Sequence, residues 1–294
     1  MLRSRRLGVV MRSKQQAQAN AARHVAADDW EATFRQMALY DFATDVNIGF
    51  VLAYFRSFAV PQISEALLAT GEITQRPGKR STDTGIVVYE IITHGFDSER
   101  GRTMVSLLRR VHAGVPGTDD DFLYVLISLL IAPLRWLDSH GWRAVEPTER
   151  AAAHRFFFEL GQRIGLEIIP SSYDEAAVFF DDYEASHVAP SAAGIALTTS
   201  ALPAFTIKLP YLVRRWDREI LGALIGDVRV SVALGLPSPA RGLTAAVRAL
   251  LWVRNLRTAH SAPSELPVFA SGAATTIYPT GYLLSEIGPP ESSR

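Results

Sequence analysis

Apolar residues recur along most of this chain at spacings of three and four, the period of a helix with one buried face. An acidic start at Asp28, Asp29 and Glu31 opens a helical stretch through Leu39, suited to the positive end of a helix dipole. Asn47–Ala69 continues the period, with Pro61 imposing a break near its middle and Thr70-Gly71 closing it. After a link over 72–79, a helix covers Thr82–Thr93 and stops at His94-Gly95. The next begins at Asp97 or Ser98, each an acceptable N-cap, and ends near Val115, ahead of Pro116-Gly117. Thr118 caps a helix that carries Asp119, Asp120 and Asp121 in its first turn and runs through Leu137, bent at Pro133. Thr148 opens another, whose Ala152, Phe156, Leu160 and Ile164 lie four apart. Ser171 or Ser172 caps Tyr173–Ser186, and further helices cover Ala192–Ala201, Tyr211–Leu234 and Pro239–Thr258.

No run alternates with the two-residue period of a sheet, and no segment repeats. The pattern predicts an all-α fold: a single-domain helical bundle of about ten helices over residues 27–260. Residues 1–26 read as a disordered basic leader, and 261–294 as an extended tail packing on the surface. The longest apolar run, Phe122–Leu134, stops at Arg135, short of the roughly 18 to 20 residues that span a bilayer, and reads as a buried core helix. No transmembrane segment is expected, and the compartment expected is the cytoplasm.

The chain has 294 residues with 30 basic and 30 acidic side chains, so no overall field favours nucleic acid. It has no cysteine, which excludes disulfides, zinc–thiolate sites, iron–sulfur clusters and thiolate nucleophiles. No histidine pair has the spacing of a helical zinc site. Neither a G-x-G-x-x-G phosphate loop nor a G-x-S-x-G nucleophile elbow occurs.

Candidate chemistry concentrates between Lys79 and Leu126. Arg80, Asp83 and Thr84 stand at i, i+3 and i+4 and share one helix face. Taken alone, they form a local network in which Asp83 pairs with Arg80 and Thr84 bonds the carbonyl four residues back. His112 lies on an apolar stripe with Met104, Val105, Leu108 and Val115, so its imidazole points toward the core. A lone histidine there is most often a core residue with one hydrogen bond. The other use of such a residue is as an axial ligand to haem iron, its far nitrogen oriented by Asp119, Asp120 or Asp121. Arg80 would then anchor a haem propionate or polarise bound oxygen, with Thr84 lining the pocket. Glu65, Asp83 and His94 are further acid/base candidates. Arg100, Arg102, Arg109 and Arg110 could bind propionates or another anion, although charge runs of this kind usually make solvated faces.

These residues sit within an ordered series: K-R-x-x-D-T at 79–84, S-E-R-G-R at 98–102, R-R-V-H at 109–112 and D-D-F-L-Y-V-L at 120–126. P-L-R-W, G-W-R, E-R-A and I-G-L-E-I-I-P follow, then D-Y-E-x-S-H at 182–187 and Y-P-T-G-Y at 278–282 with a late G-P. Over about Ala27 to Pro289 this order resembles the MpaB-type oxygenases. That family includes the fungal oxygenase of mycophenolic acid biosynthesis and is distantly related to the latex clearing proteins that cleave rubber. The resemblance implies an all-α fold around a buried haem pocket holding non-covalent haem b (iron protoporphyrin IX) with a histidine axial ligand. It also implies oxygenase cleavage, with O2, of a carbon–carbon double bond in an isoprenoid-like apolar substrate. By position, His112 resembles the axial metal ligand, and Arg80 and Thr84 the Arg and Thr of the haem-pocket motif. Rubber-cleaving members carry a lysine just before that threonine, where this chain has Asp83, which speaks against rubber as substrate. Arg80, Asp83 and Thr84 are thus the expected catalytic set, with helices Asn47–Ala69 and Phe122–Leu134 as walls of a dry pocket. The alternatives are a non-catalytic haem- or lipid-binding protein and a peroxidase-like haem protein.

Overall fold

The computed structural model describes residues 29–207 and 210–289, so the leader expected over 1–26 lies outside the described residues. Asp29 caps α1 (Trp30–Gln36) through the Ala32 amide at 2.9 Å, and α1 runs on into one π-helical turn, Met37–Asp41. Then come α2 (Ala43–Phe58), α3 (Pro61–Ala69), α4 (Glu72–Gln75), α5 (Pro77–His94), α6 (Glu99–His112) and α7 (Asp119–His140). After these lie α8 (Pro147–Ile164), α9 (Tyr173–His187), α10 (Ala192–Thr206), α11 (Tyr211–Arg214), α12 (Asp217–Ile225), α13 (Val228–Ala233) and α14 (Arg241–His260). No strand occurs among the described residues, so the fold is all-α as expected.

Local chemistry explains most helix ends. Ser98 caps α6, Ser172 caps α9, and Thr118 forms a reciprocal capping box with Asp121 at α7. Pro61 holds the first position of α3, and α2 and α3 meet at a 93° bend. Three expectations need correction. The link over 72–79 is instead the short α4 followed by α5, which starts at Pro77 because proline suits a first turn. The cap of α8 is Glu146, boxed with Glu149, rather than Thr148. The single helix expected over 211–234 is three: Trp216 interrupts it, then left-handed Gly226 (φ +67°) ends α12 and Asp227 caps α13 anew.

Helices α2 and α7 form the spine. Gly49 lets α2 approach Pro133 of α7 so closely that an added Cβ would lie 2.3 Å from the proline Cα. On one side of this pair α1, α5, α6, α8 and α9 build an aromatic core around Phe34, Phe96, Phe156 and Phe157. On the other, α10, α12 and α13 close over Phe55, Phe58 and Leu197. Helix α7 also revises an expectation. Over an 18-residue window its mean hydropathy is 1.5, so by length and composition this 22-residue helix is long enough to cross a membrane, although 67% of that window is buried in the protein. The window reaches past Arg135, where the sequence reading ended the run.

Over residues 261–289 the chain is irregular except for a 3-10 turn, Leu284–Glu286. It does more than lie on the surface, because Tyr282 and Ile287 are buried against the helices.

Gly49→Ala is expected to destabilise the fold by about 1–3 kcal/mol, since neither backbone can yield without repacking the spine. Thermal unfolding would show it as a fall of roughly 2–4 °C in Tm per kcal/mol. An unchanged Tm would show that the two helices slide apart freely.

Candidate functional site

The four residues 95–98 fold α6 back against α5. Gly95, at φ +77°, makes the reversal, and Gly101 approaches its carbonyl so closely that an added Cβ would lie 2.0 Å from the oxygen. The arms are of equal reach: about 21 Å of helix axis separates Arg80 from His94, and about 20 Å separates Glu99 from His112. The last residue of α6 therefore arrives beside the first turn of α5.

His112 is partly buried, with its ring 5.4 Å from that of Phe122 in the first turn of α7. Among the described residues nothing hydrogen-bonds its ring nitrogens. Burial, and after it the positive charge of Arg80, push its pKa from 6.5 down to about 4, so the imidazole is neutral. None of the three aspartates expected to orient it does so. Asp119 and Asp120 are exposed, and Asp121 is taken by Tyr183, Gln62 and the Thr118 amide, where it serves the cap of α7.

Arg80 donates to the Thr84 hydroxyl, and Thr84 donates back to the Arg80 carbonyl at 2.8 Å. The structure thus joins Arg80 to Thr84 and sets His112 within reach of the Arg80 charge. Asp83 it places elsewhere. The expected pairing with Arg80 gives way to one with Lys79 at 2.6 Å, because Lys79 is four residues back on the stripe that faces the C-terminal segment. Tyr278 donates to Asp83 at 2.7 Å and the Gly288 amide at 3.0 Å, while Lys79 also donates to the Glu286 and Gly288 carbonyls. Asp83 is 5% exposed, and its oxygens are occupied by this clamp. Glu65 is exposed. His94, also exposed, reaches Ser271 at 2.6 Å and lies 3.5 Å from Glu90. Arg109 and Arg110 are exposed, as charge runs of that kind predict.

Five residues near the site carry no motif and went unread in the sequence. Tyr54 and Phe50 lie one turn apart on α2, as do Ser81, Gly85 and Tyr89 on α5. Phe50 meets Tyr89 edge-on, with centroids 5.9 Å apart, and Tyr54 lies near enough to Arg80 and Ser81 to respond to both. Gly85 lies between these two contacts, and a Cβ there would meet nothing within 4 Å. The Tyr54 and Tyr89 hydroxyls are buried with no hydrogen-bond partner among the described residues. Burial raises both above the usual phenol pKa, so both keep their protons. Two buried hydroxyls without a partner, flanking the open space at Gly85, are costly unless something supplies their hydrogen bonds. A separate cleft of about 510 Å³, between Arg102, Arg110 and Leu284, lies on the opposite face of α6.

The family model described as ER-bound oxygenase mpaB/B'/Rubber oxygenase, catalytic domain, matches residues 41–257. The chain is 26% identical over 247 residues to ER-bound oxygenase mpaB' of Penicillium brevicompactum, covering 78% of this chain and 58% of that protein. It is 29% identical over 174 residues to ER-bound oxygenase mpaB of the same organism, covering 53% of this chain and 44% of that one. The chain thus spans about half the length of the curated relatives it matches. A solved structure of latex clearing protein in the closed state has a TM-score of 0.62, covering 80% of this chain and 69% of its own, at 16% identity. That likeness shows a shared fold.

Because folding depresses the His112 pKa, the unfolded chain takes up the proton more readily. The stabilisation by neutral imidazole is full above pH 6.5 and is lost as pH falls toward 4. In the cofactor-free protein, His112→Phe is expected to flatten the stability–pH curve across that window in urea unfolding. An imidazole NMR signal titrating near its ordinary value would refute the buried, neutral state. Gly85→Ala is expected to raise Tm, since glycine inside a helix costs roughly 0.5–1 kcal/mol relative to alanine and the added methyl has room. A lower Tm would mean that the space beside Gly85 is filled.

Proposed function

This chain belongs to the ER-bound oxygenase mpaB/B'/Rubber oxygenase catalytic-domain family, and on that premise we propose that it is a haem b-dependent oxygenase. Its reaction would be cleavage of a carbon–carbon double bond in an isoprenoid-like apolar small molecule with O2. The observation that carries the reading is the neutral, unpartnered His112, close enough to Arg80 to feel its charge.

The donor set fits the group. Among the described residues no cluster of three or more His, Asp or Glu side chains could hold a bare metal ion. One imidazole suffices only where a macrocycle supplies the remaining donors, and haem does so. When bound, haem supplies the iron at which O2 is activated. The residues of the chain have separate tasks. His112 offers a neutral nitrogen with no proton to displace first. Arg80, held by Thr84, presents a fixed cation for a propionate. Gly85, where an added Cβ would meet nothing within 4 Å, would leave room for the edge of a flat ring system, with Phe50 and Tyr54 on α2 as its walls. The Tyr54 hydroxyl keeps its proton and is free to donate it in a hydrogen bond. Asp83 takes no part beyond anchoring α5 to the C-terminal segment.

The purified protein supplied with haem is expected to show a Soret band that His112→Ala shifts or abolishes. Gly85→Leu is expected to block uptake while the fold stays intact. A wild type without the band, or a band indifferent to both changes, would overturn the assignment. Oxygen uptake matched to alkene consumed, without added reductant, is expected for the oxygenase. Haem binding without uptake across a broad alkene panel would favour a storage or sensing protein, and a strict need for hydrogen peroxide a peroxidase.

A further inference from the structure

Helix α14 is 20 residues long and none of its residues is fully buried. Its inner side, with Leu243, Val247 and Leu251, is partly covered. A helix laid on a globular protein should turn polar residues outward. This one does not. Ala245, Ala249, Trp252 and Leu256 stand at i, i+4, i+7 and i+11 and form one outer stripe. Trp252 is 65% exposed and Leu256 48%. Arg241 and Arg248 border the stripe on one side and Arg257 on the other, all exposed and without an ion pair among the described residues. The neighbouring short helices expose Tyr211, Leu212, Val228 and Val232.

Charge selects the partner. Positions 207–260 hold nine Lys or Arg and three acidic residues, Asp217, Glu219 and Asp227, within a chain of zero net charge. No acidic residue lies in α14 itself. A second copy would bring the same positive face. Residues 1–28 carry five arginines and Lys14 against Asp28 alone, so they too would be repelled. An apolar stripe with a tryptophan, bordered by long unpaired arginines, is the pattern of a helix lying in a lipid interface. The stripe enters the headgroup boundary there, and the arginines extend to the phosphates. We propose that the α14 face is an attachment surface for anionic lipid bilayers. The proposal stands apart from the haem chemistry and does not need it.

The test is co-sedimentation of the full-length chain with vesicles of phosphatidylcholine containing about one third phosphatidylserine, against phosphatidylcholine alone. Binding is expected only to the anionic vesicles and is expected to weaken as salt is raised. Arg241→Glu with Arg257→Glu is expected to lower the partition coefficient roughly 30-fold or more. Trp252→Ser with Leu256→Ser is expected to lower it about tenfold or more. These side chains are exposed, so thermal melting should confirm that both variants stay folded. No binding to anionic vesicles would overturn the proposal, as would binding untouched by either pair. A concentration-dependent dimer in sedimentation, abolished by Trp252→Ser with Leu256→Ser, would make the face a self-association surface and overturn it equally.

Discussion

A single buried carboxylate, Glu90, holds the site-bearing hairpin to the rest of the molecule. It is 0% exposed, and in water-free surroundings an unpaired charge would cost several kcal/mol. Arg100 of α6 binds both oxygens at 2.7 Å, Tyr282 donates at 2.5 Å and Ser271 at 3.1 Å. Burial alone would raise its pKa, yet the Arg100 and Tyr282 hydrogen bonds outweigh burial and hold it below the usual carboxylate range. Helix α5, helix α6 and the C-terminal segment meet at this one group. The position of His112 opposite Arg80 follows, because the antiparallel arms cannot slide while Arg100 stays bidentate.

A good part of this architecture is legible in the sequence, and the legible part is local. Ser98, Thr118 and Ser172 announce their helices within four residues, and Pro61 announces the bend between α2 and α3. The break of 211–234 is harder to read, since Gly226-Asp227 interrupts an otherwise continuous apolar period. The site divides along the same line. The Arg80–Thr84 contact is one helical turn and could be read from spacing. Besides Lys79, the partners of Asp83 are Tyr278 and Gly288, some 200 positions away in a stretch with no period. Tyr54 and Gly85 escape notice because their importance lies in what they do not touch, and spacing cannot show a gap.

Several ordered motifs prove to be packing devices. In S-E-R-G-R, Ser98 caps, Arg100 binds Glu90 and Gly101 permits the hairpin. In D-Y-E-x-S-H, Tyr183 reaches Asp121, and Glu184 accepts from Arg56 at 2.7 Å and Tyr124 at 3.0 Å, tying α9 to α2 and α7. In G-W-R and E-R-A, Arg143 bridges Glu149 and Asp41. Buried ion pairs of this kind add little net stability over apolar packing, yet removing one partner is expensive. Such residues therefore mark where helices must meet, whatever chemistry the gap between them supports.

The C-terminal segment sets the order in which the molecule can be completed. Lys79 and Tyr278 touch across 199 positions, and Glu90 and Tyr282 across 192. A chain leaving the ribosome exposes α5 early, yet the distant partners Tyr278 and Gly288 of Asp83 and Tyr282 of Glu90 follow 195, 205 and 192 positions later. The helical spine can assemble during synthesis, but the clamp on Asp83 and Glu90 stays incomplete until residues 271–288 appear. Until that segment arrives, the nascent protein carries two incompletely paired carboxylates, and the hairpin stays unlocked.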